Sequence, residues 1–270
     1  MKNLPHLLLL AGLAGATYAQ AQNQANIKCI YKIMFRPDST NINNLRTEYG
    51  VLLLGNNISK YQTINKALLD SVVLNVPKDA MAFQMSFDAS KLPKTYFSSI
   101  IFKDLRKKEV VVYDEVYIDQ YRYQEPESSF AWQITPEKAV ISGYKCQKAT
   151  SAFGGRRWEA WFTNEVPSSD GPYKFHGLPG LIIKANDTKN YYTFTLSSLQ
   201  KLASPAVLEL PARKATTITK AEYTKAKRNY DLNAVDIMAQ RGSVYGEPEE
   251  MKRRHQEKMK KRNNPIELMK

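Results

Sequence analysis

The sequence predicts a mainly β protein, a curved antiparallel meander that forms an open barrel or a sandwich and carries one or two peripheral helices. Polar and apolar residues alternate at every second position in many short segments, as they do in strands with one buried face. Turns rich in glycine and asparagine separate these segments. No spacing long enough for a strand, a helix and a parallel strand appears, so consecutive strands are expected to pair in antiparallel fashion.

The first residues have the pattern of a secretory signal peptide. Lys2 precedes the apolar run 7–16, and small residues follow at Ala19 and Ala21. The run is too short to span a bilayer and no second long apolar run follows it, so we expect an exported, periplasmic or extracellular protein that does not span a membrane. The expected organisation is a signal peptide at 1–21, a single β domain at 22–245 and a basic C-terminal tail at 246–270.

The first half of the mature chain is predicted to be strands with one helix. Residues 27–35 alternate in period two, and the segments 49–54 and 58–63 flank a turn-forming triplet that suits a hairpin. Residues 64–74 carry apolar side chains at helical spacing. Further strands are predicted at 97–102, 110–117, 121–123, 130–134 and 139–153, with a charged hairpin turn at 103–108.

Two more hairpins and a second helix are predicted after residue 150. Gly154-Gly155 can take positive φ at both central positions, which joins residues 149–153 to a strand at 156–163. Residues 186–190 similarly join strands at 181–184 and 191–196. Thr219 and Glu222 have the spacing of a capping box, which predicts a helix over 221–240.

The stretch Gly177-Leu178-Pro179-Gly180-Leu181-Ile182 predicts a tight turn that leads into a buried strand. Pro179 fixes φ for the first corner of a type II turn, and Gly180 supplies the positive φ of the second corner. Gly177, Pro179 and Gly180 are therefore predicted as structural turn residues, and Gly180→Ala is expected to destabilise the protein.

The connection from 164 to 180 is long for a compact domain and rich in aromatic and conformationally fixed residues, so we expect an ordered lip with a function. The candidate binding residues on it and on the preceding strand are Trp158, Trp161, Tyr173, Phe175 and His176. Aromatic residues with a polar edge suit a contact surface, whereas aromatic residues on strands are more often part of a core. The sequence leaves both alternatives open, with the core alternative favoured.

An alternative interpretation is a small periplasmic hydrolase. His176 and Asp170 lie near Ser168 and Ser169, which gives the residue types of a nucleophilic triad but not the strained turn that exposes a nucleophile. If this interpretation holds, His176 is the general base, and His176→Gln should remove about two orders of magnitude or more of rate while leaving binding largely intact. If the lip is a contact surface instead, Trp161→Ala or Tyr173→Ala should weaken partner capture by about 1 to 3 kcal/mol, and His176→Gln should matter little. Glu159 and Glu165 offer paired carboxylates, although charged residues on the wet face of a strand are the ordinary expectation.

The cysteines and histidines limit the kinds of disulfide and metal site that the chain can form. Cys29 and Cys146 can form one disulfide in an oxidising compartment, or each can be a small core residue. His176 and His255 do not lie at ligand spacing with a cysteine, so no metal site is expected. No phosphate-binding glycine loop is present, and no cofactor is expected.

The chain is strongly basic, with a formal net charge of +13 at pH 7. In an exported protein this suggests contact with an anionic envelope component or an outer-membrane protein rather than nucleic acid. A solvated helix face is the alternative for the tail. Its basic residues are Lys252, Arg253, Arg254, Lys258, Lys260, Lys261 and Arg262.

Several motifs resemble one known family. Besides the stretch at 177–182, these are Tyr144-Lys145-Cys146-Gln147-Lys148-Ala149, Phe153-Gly154-Gly155-Arg156, Trp161-Phe162-Thr163, Gly171-Pro172-Tyr173-Lys174-Phe175-His176 and Asn264-Pro265-Ile266-Glu267-Leu268. Together they resemble the GLPGLI family of exported proteins from Bacteroidetes-type bacteria. The resemblance implies an exported protein and assigns no catalytic residue, because the function of that family is not established.

The sequence therefore predicts a binding or accessory module of the cell envelope that contacts a ligand or an outer-membrane partner through the lip at 164–180. The hydrolase that uses His176 is one alternative. A structural envelope protein that acts through its basic tail is the other.

Overall fold

The computed structural model describes residues 23–74, 92–125, 130–242 and 246–268. In these ranges the chain forms one sheet of 12 strands, together with helices on its flanks. The predicted signal peptide at 1–21 lies outside the described residues.

The strands are β1 Gln24–Phe35, β2 Arg46–Gly55, β3 Ile58–Thr63, β4 Ile100–Asp104, β5 Glu109–Val116, β6 Asp119–Gln124, β7 Gln133–Ile141, β8 Tyr144–Phe153, β9 Arg156–Thr163, β10 Leu181–Asp187, β11 Tyr192–Val207 and β12 Thr216–Thr217. The helices are α1 Ile64–Leu74, α2 Lys220–Gln240 and α3 Pro248–Lys260.

The sheet consists of two meanders joined edge to edge. Strands β1 to β6 are neighbours in chain order, β7 to β11 are likewise, and β11 pairs with β1 to join the two sets. The sheet stays open between β12 and β7 at its two edges. The predicted open, curved and mainly antiparallel meander is thus confirmed. One pairing differs, because the two-residue β12 runs parallel to β6 after the chain crosses over from β11.

One face of the sheet, called here the inner face, carries the main core. Cys29, Tyr31, Ile33 and Phe35 of β1 alternate onto it and are at most 1% exposed. Alternating residues of β8, β9 and β11 add aromatic and aliphatic side chains to the same cluster, and β10 adds the consecutive residues Leu181, Ile182 and Ile183. Helix α2 contributes Tyr223 to this core and lies against β5 and β6.

The local signals for turns and helices are largely confirmed. Gly154 and Gly155 have φ of +57° and +74°, as a two-residue hairpin with positive φ at both positions requires. The Thr219 side chain accepts from the backbone N–H of Glu222, and the Glu222 carboxylate accepts in return from the backbone N–H of Thr219 at 2.8 Å. The capping box therefore begins α2 where the sequence predicts it.

Two elements extend beyond the predictions. Strand β11 continues past residue 196 to Val207, because its second half pairs with the first half of β1, where Ala206 lies opposite Ala25. The tail forms the helix α3, which has proline at its start, Glu249 and Glu250 in its first turn and Lys258 in its last turn. This charge order stabilises a helix through its macrodipole even though few apolar residues are available for burial.

The turn at Gly180 differs from the predicted type II turn. Gly177 has positive φ, at +91°, whereas Gly180 does not. The Gly180 N–H donates to the Leu178 carbonyl oxygen at 2.8 Å, which closes a three-residue turn centred on Pro179. Gly180 is needed for a different reason, because a Cβ there would lie 2.0 Å from the Thr163 carbonyl oxygen.

We expect Gly180→Ala to lower the free energy of unfolding by about 1–3 kcal/mol, because the added methyl group meets rigid backbone rather than a movable side chain. Gly143→Ala is the matched control, since Gly143 has φ of +85° and open space around it. The control should lose about 1 kcal/mol through backbone strain. Urea unfolding measures both, and a Gly180→Ala protein as stable as the wild type would contradict the close approach.

The two cysteines do not form the disulfide that the sequence leaves open. Cys29 and Cys146 are both buried free thiols. Three strands, β11, β10 and β9, separate β1 from β8 in the sheet, so the two side chains belong to different parts of the core. Burial raises the pKa of the Cys146 thiol to about 11, which keeps it protonated at neutral pH.

Candidate functional site

The segment 164–180 folds against the inner face of the sheet and is part of the core. The Gly177 N–H donates to the Ser169 carbonyl oxygen at 2.9 Å, and the Ile182 N–H donates to the Asp170 carbonyl oxygen at 2.9 Å. Asp170 and His176 also pair as an isolated antiparallel bridge. The predicted ordered connection is therefore present, but it covers its aromatic residues rather than displaying them.

A buried lysine holds this segment in place. The Lys103 ammonium is 0% exposed and forms an ion pair with Asp170. It also donates to the carbonyl oxygens of Gly171 at 2.6 Å, Tyr173 at 3.2 Å and Phe175 at 3.3 Å. Burial lowers the pKa of Lys103, and the Asp170 carboxylate opposes this effect.

Sequence reasoning missed Lys103 because it grouped this residue with the charged hairpin turn at 103–108. One signal was available: Lys103 lies two positions after Ile101, so period-two alternation places both on the same face of β4. A lysine on a buried face calls for a buried acid, and Asp170 is that acid.

The five candidate binding residues separate into a core group and a partly exposed pair. Trp158, Tyr173 and Phe175 are 0%, 5% and 0% exposed, and the Trp158 and Phe175 ring centroids lie 4.7 Å apart. Trp161 is half-buried on the opposite face of β9, with the Lys148 ammonium 5.9 Å from its ring. The first three therefore belong to the core cluster, and the partly buried Trp161 packs against that cluster.

His176 is half-buried, and within the described residues its ring forms no hydrogen bond with Asp170. Its Nδ1 lies 2.8 Å from the Lys174 carbonyl oxygen, and its own carbonyl oxygen accepts from Trp132 Nε1 at 2.8 Å. Burial lowers the pKa of His176. The Asp170 carboxylate instead accepts from the Gly171 N–H at 2.7 Å and pairs with Lys103.

The other residues of the hydrolase interpretation are also engaged elsewhere. Glu159 pairs with Lys148 at 2.9 Å, and Glu165 accepts from the backbone N–H of Lys145 at 2.8 Å. Within the described ranges, no hydrogen bond links the His176 side chain to Ser168 or Ser169. The geometry does not assemble a nucleophile with a base from these side chains.

A second buried charge network lies next to this segment. The Lys174 ammonium is 2% exposed, pairs with Glu125 and donates to Glu267 at 2.5 Å. The Lys220 ammonium donates to the same two carboxylates, at 2.7 Å to Glu125 and 2.8 Å to Glu267. Burial alone would lower the pKa of Lys174, but Glu267 and Glu125 outweigh it and raise the pKa.

The residues 263–268, called here the C-terminal strap, cross the end of the sheet and are held by Arg156. The Arg156 guanidinium donates to Asn264 Oδ1 at 2.5 Å and to the carbonyl oxygens of Pro265 at 2.6 Å and Ile266 at 2.9 Å. The Leu268 N–H donates to the Gly154 carbonyl oxygen at 2.7 Å. The motif at 264–268 is therefore built into the domain.

The strap, α2 and the inner face of the sheet line a half-open cavity of about 250 Å³. Six aromatic rings line it, together with polar groups from α2 and the strap. The rings belong to Tyr96, Phe97, Tyr123, Tyr173, Tyr192 and Tyr223. The segment 164–180 reaches this cavity through Tyr173, whose hydroxyl donates to Glu267.

Polar groups lie at two places on the cavity wall. Asp114 accepts from the hydroxyls of Ser98 at 2.6 Å and Ser99 at 2.5 Å. Lys220 and Glu267 of the buried charge network form the second place. An aromatic wall with a few fixed polar groups is the usual composition of a small-molecule site.

The basic residues of the predicted tail have different surroundings. Lys252 pairs with Asp236 at 3.0 Å, and Arg254 pairs with Glu250 at 2.5 Å. Arg253 and Lys260 are exposed on α3. Lys258, Lys261 and Arg262 line a cleft beside the cavity.

Two further findings concern the described part of the chain. None of its helices combines the length and the apolar character that crossing a membrane requires. Its His, Cys, Asp and Glu side chains form no group of three or more that could hold a metal ion.

Comparison with known proteins gives a family match over a short region. A family model described as a protein of unknown function (Porph_ging) matches residues 155–184. These residues include β9, the segment 164–180 and the Gly177–Ile182 stretch, whose motifs carry the resemblance noted in the sequence. The matching family does not bear the GLPGLI name. No curated protein matches the chain.

Comparison with solved structures shows a related fold. Two crystal forms of PNGF-II, in space groups P21 and C2, are 12% and 13% identical and each superposes with a TM-score of 0.52. The match covers 76% of this chain and 33% of the PNGF-II chain, so this chain spans about a third of that protein. MucB in complex with MucA(peri) is 9% identical over 77% of this chain and 62% of MucB, with a TM-score of 0.33 that supports no further argument. At these identities the likeness to PNGF-II shows a related fold and nothing more. The family match shows that residues 155–184 of this chain are similar to a family of unknown function.

Proposed function

We propose that the protein is an exported binding module of the cell envelope and that its ligand lies in the aromatic cavity between the sheet, α2 and the C-terminal strap. The observation that carries this proposal is the cavity itself, with a volume of about 250 Å³ and six aromatic rings in its wall. A half-open cavity lined mainly by aromatic side chains, with a few polar groups converging on it, has the usual form of a small-molecule binding site.

The charged residues around the cavity make it a rigid site. Lys220 is held by Glu125 and Glu267, and Tyr173 is held by Glu267. A wall fixed by ion pairs before the ligand arrives loses little conformational entropy on binding, which favours affinity. The ligand class that fits is a small molecule with an apolar or aromatic body.

The segment 164–180 contributes to ligand binding from the interior of the domain. It supplies Tyr173 to the cavity wall and anchors that residue through the Lys103 contacts to the backbone of 171–175. The expected external contact through a lip is replaced by an internal ligand contact. Tyr173→Ala would therefore damage the fold as well as binding, and it is not a clean test.

Export and envelope location belong to the same proposal. The signal-peptide pattern at 1–21 supports them, and the basic surface of α3 supports contact with an anionic envelope component or an outer-membrane protein. Sequencing of the mature N-terminus from cell envelopes tests the export step. A mature chain that still begins at Met1 would contradict it.

Filling the cavity should abolish binding of a neutral apolar probe. Thr224 lies on α2, is half-buried and lines the cavity without taking part in the buried ion pairs. We expect Thr224→Phe to occupy the site and weaken binding of N-phenyl-1-naphthylamine, measured by fluorescence titration, by about tenfold or more.

Two controls accompany this variant. Thr224→Val removes the hydroxyl that donates to the Lys220 carbonyl oxygen at 2.9 Å but adds no bulk, so it should keep probe affinity. His176→Gln should also keep it, because His176 does not line the cavity. Equal probe affinity in wild type and Thr224→Phe, with both folded, would refute the cavity as the binding site.

A further inference from the structure

A cleft of about 410 Å³ lies beside the cavity, where α3 approaches the start of β2. Basic side chains dominate its lining. The lining residues are Asn44, Arg46, Tyr96, Arg254, Glu257, Lys258, Lys261 and Arg262. The basic residues come from two places far apart in the sequence, so the cleft is a product of the fold rather than of a charge run.

Positive charge in this cleft exceeds negative charge. Five of the lining residues are cationic, Glu257 is acidic, and Arg254 is paired with Glu250 outside the lining. Glu48 lies behind Tyr96, where it is buried and accepts from the Tyr96 N–H at 2.7 Å. In the described ranges Arg46, Lys258 and Lys261 form no ion pair.

Lys258 is partly exposed, and the cations near it repel its charge. Burial lowers the pKa of Lys258 first, and the charges of Arg262 and Lys227 lower it further, against the opposing charge of Asp231. An anion bound in the cleft would relieve this repulsion. A cluster of exposed cations of this kind favours the binding of an anion.

The cleft and the cavity are neighbours that share two residues, Tyr96 and Arg262. The Arg262 guanidinium lies 4.4 Å from the Tyr96 ring centroid, a cation–π contact that fixes it at the boundary. A single molecule can therefore place an apolar part against the aromatic wall and a charged part among the cations.

We propose that the ligand is an amphiphile with an oxyanion head group of the phosphate type, with its apolar tail in the cavity and its head group in the basic cleft. This inference rests on the proposed binding function and specifies its ligand class. A phosphate group suits the cleft because it offers several acceptor oxygens and more than one negative charge to cations that approach from two sides.

The test compares four probes by isothermal titration calorimetry. Octyl phosphate carries both parts, 1-octanol carries the tail, inorganic phosphate carries the head and octyltrimethylammonium carries the opposite charge. We expect octyl phosphate to bind about tenfold or more tightly than each of the other three. The advantage over 1-octanol should shrink as salt is raised, because the cleft is exposed to screening.

Variants on one helix provide the matched control. Lys258→Gln should weaken octyl phosphate by about threefold to fivefold and leave 1-octanol unchanged. Lys260→Gln, a lysine on the same helix outside the cleft lining, should change neither. This pattern supports the head-group assignment.

The outcomes separate the two proposals. Equal affinity for octyl phosphate and 1-octanol, both abolished by Thr224→Phe, overturns the head-group assignment and leaves the cavity function in place. Inorganic phosphate that binds as tightly as octyl phosphate overturns joint occupancy and identifies a free-anion site. No binding of either octyl probe contradicts the cavity function itself.

Discussion

Lys103→Met is expected to lower the free energy of unfolding by about 3–5 kcal/mol, because it leaves the Asp170 carboxylate buried without its partner. The methionine also removes the donor to the carbonyl oxygens of Gly171, Tyr173 and Phe175, so three backbone acceptors lose their hydrogen bonds. The segment 164–180 should loosen along with the global loss. Urea denaturation followed by tryptophan fluorescence measures the change.

Lys107→Met on the same hairpin is the matched control. Lys107 is 67% exposed and lies 3.8 Å from Asp104. An exposed pair of this kind contributes about 0–1 kcal/mol, so the control should lose little. A Lys103→Met protein that is no less stable than the Lys107→Met protein would show that Lys103 does not hold the segment in place.

Glu267→Gln is expected to lower the free energy of unfolding by about 2–4 kcal/mol at neutral pH, because Lys174 and Lys220 then share one buried carboxylate instead of two. Burial alone would raise the pKa of Glu267, but the charges of Lys174 and Lys220 outweigh it and lower the pKa from 4.5 to about 2. The loss should be measured by urea denaturation at several pH values.

The sign of the pH dependence follows from the lowered pKa. The stabilisation by Glu267 is fully present above its unfolded pKa of 4.5 and is lost as the pH falls toward the folded pKa of about 2. The difference between wild type and Glu267→Gln should therefore narrow as the pH falls from about 5 to 2. Glu250→Gln, at an exposed ion pair on α3, should change stability by no more than about 1 kcal/mol. A constant difference down to the lowest pH would contradict the coupling.

The sequence determines the sheet more clearly than it determines the site. Period-two alternation in β1 and the double glycine at Gly154-Gly155 are local signals, and each produces the predicted element. The second half of β11 carries no such signal. Its polar residues form a strand because they pair with β1, which lies far away in the sequence. The path of the segment 164–180 depends likewise on a distant partner, Lys103.

The cavity could not be predicted because its wall comes from parts of the chain that are far apart. Tyr96, Tyr173 and Tyr223 meet there from three different segments. Of the five aromatic and histidine residues predicted as binding candidates, Tyr173 alone lines the cavity, and its hydroxyl donates to Glu267 of the strap. The cleft-lining residues Arg254, Lys258, Lys261 and Arg262 are all exposed, and composition carries no information on the approach of Arg46 that makes a cleft of them.

The central claim is that the cavity holds the apolar part of a ligand, and contacts between ligand and wall protons test it most directly. The measurement is an isotope-edited nuclear Overhauser spectrum of octyl phosphate bound to deuterated protein with protonated tyrosine side chains. The account predicts cross-peaks from the octyl chain to Tyr123, Tyr173 and Tyr223, all of which line the cavity, and their loss in Thr224→Phe. Cross-peaks confined to tyrosines outside the cavity, such as Tyr49 on β2, would contradict it.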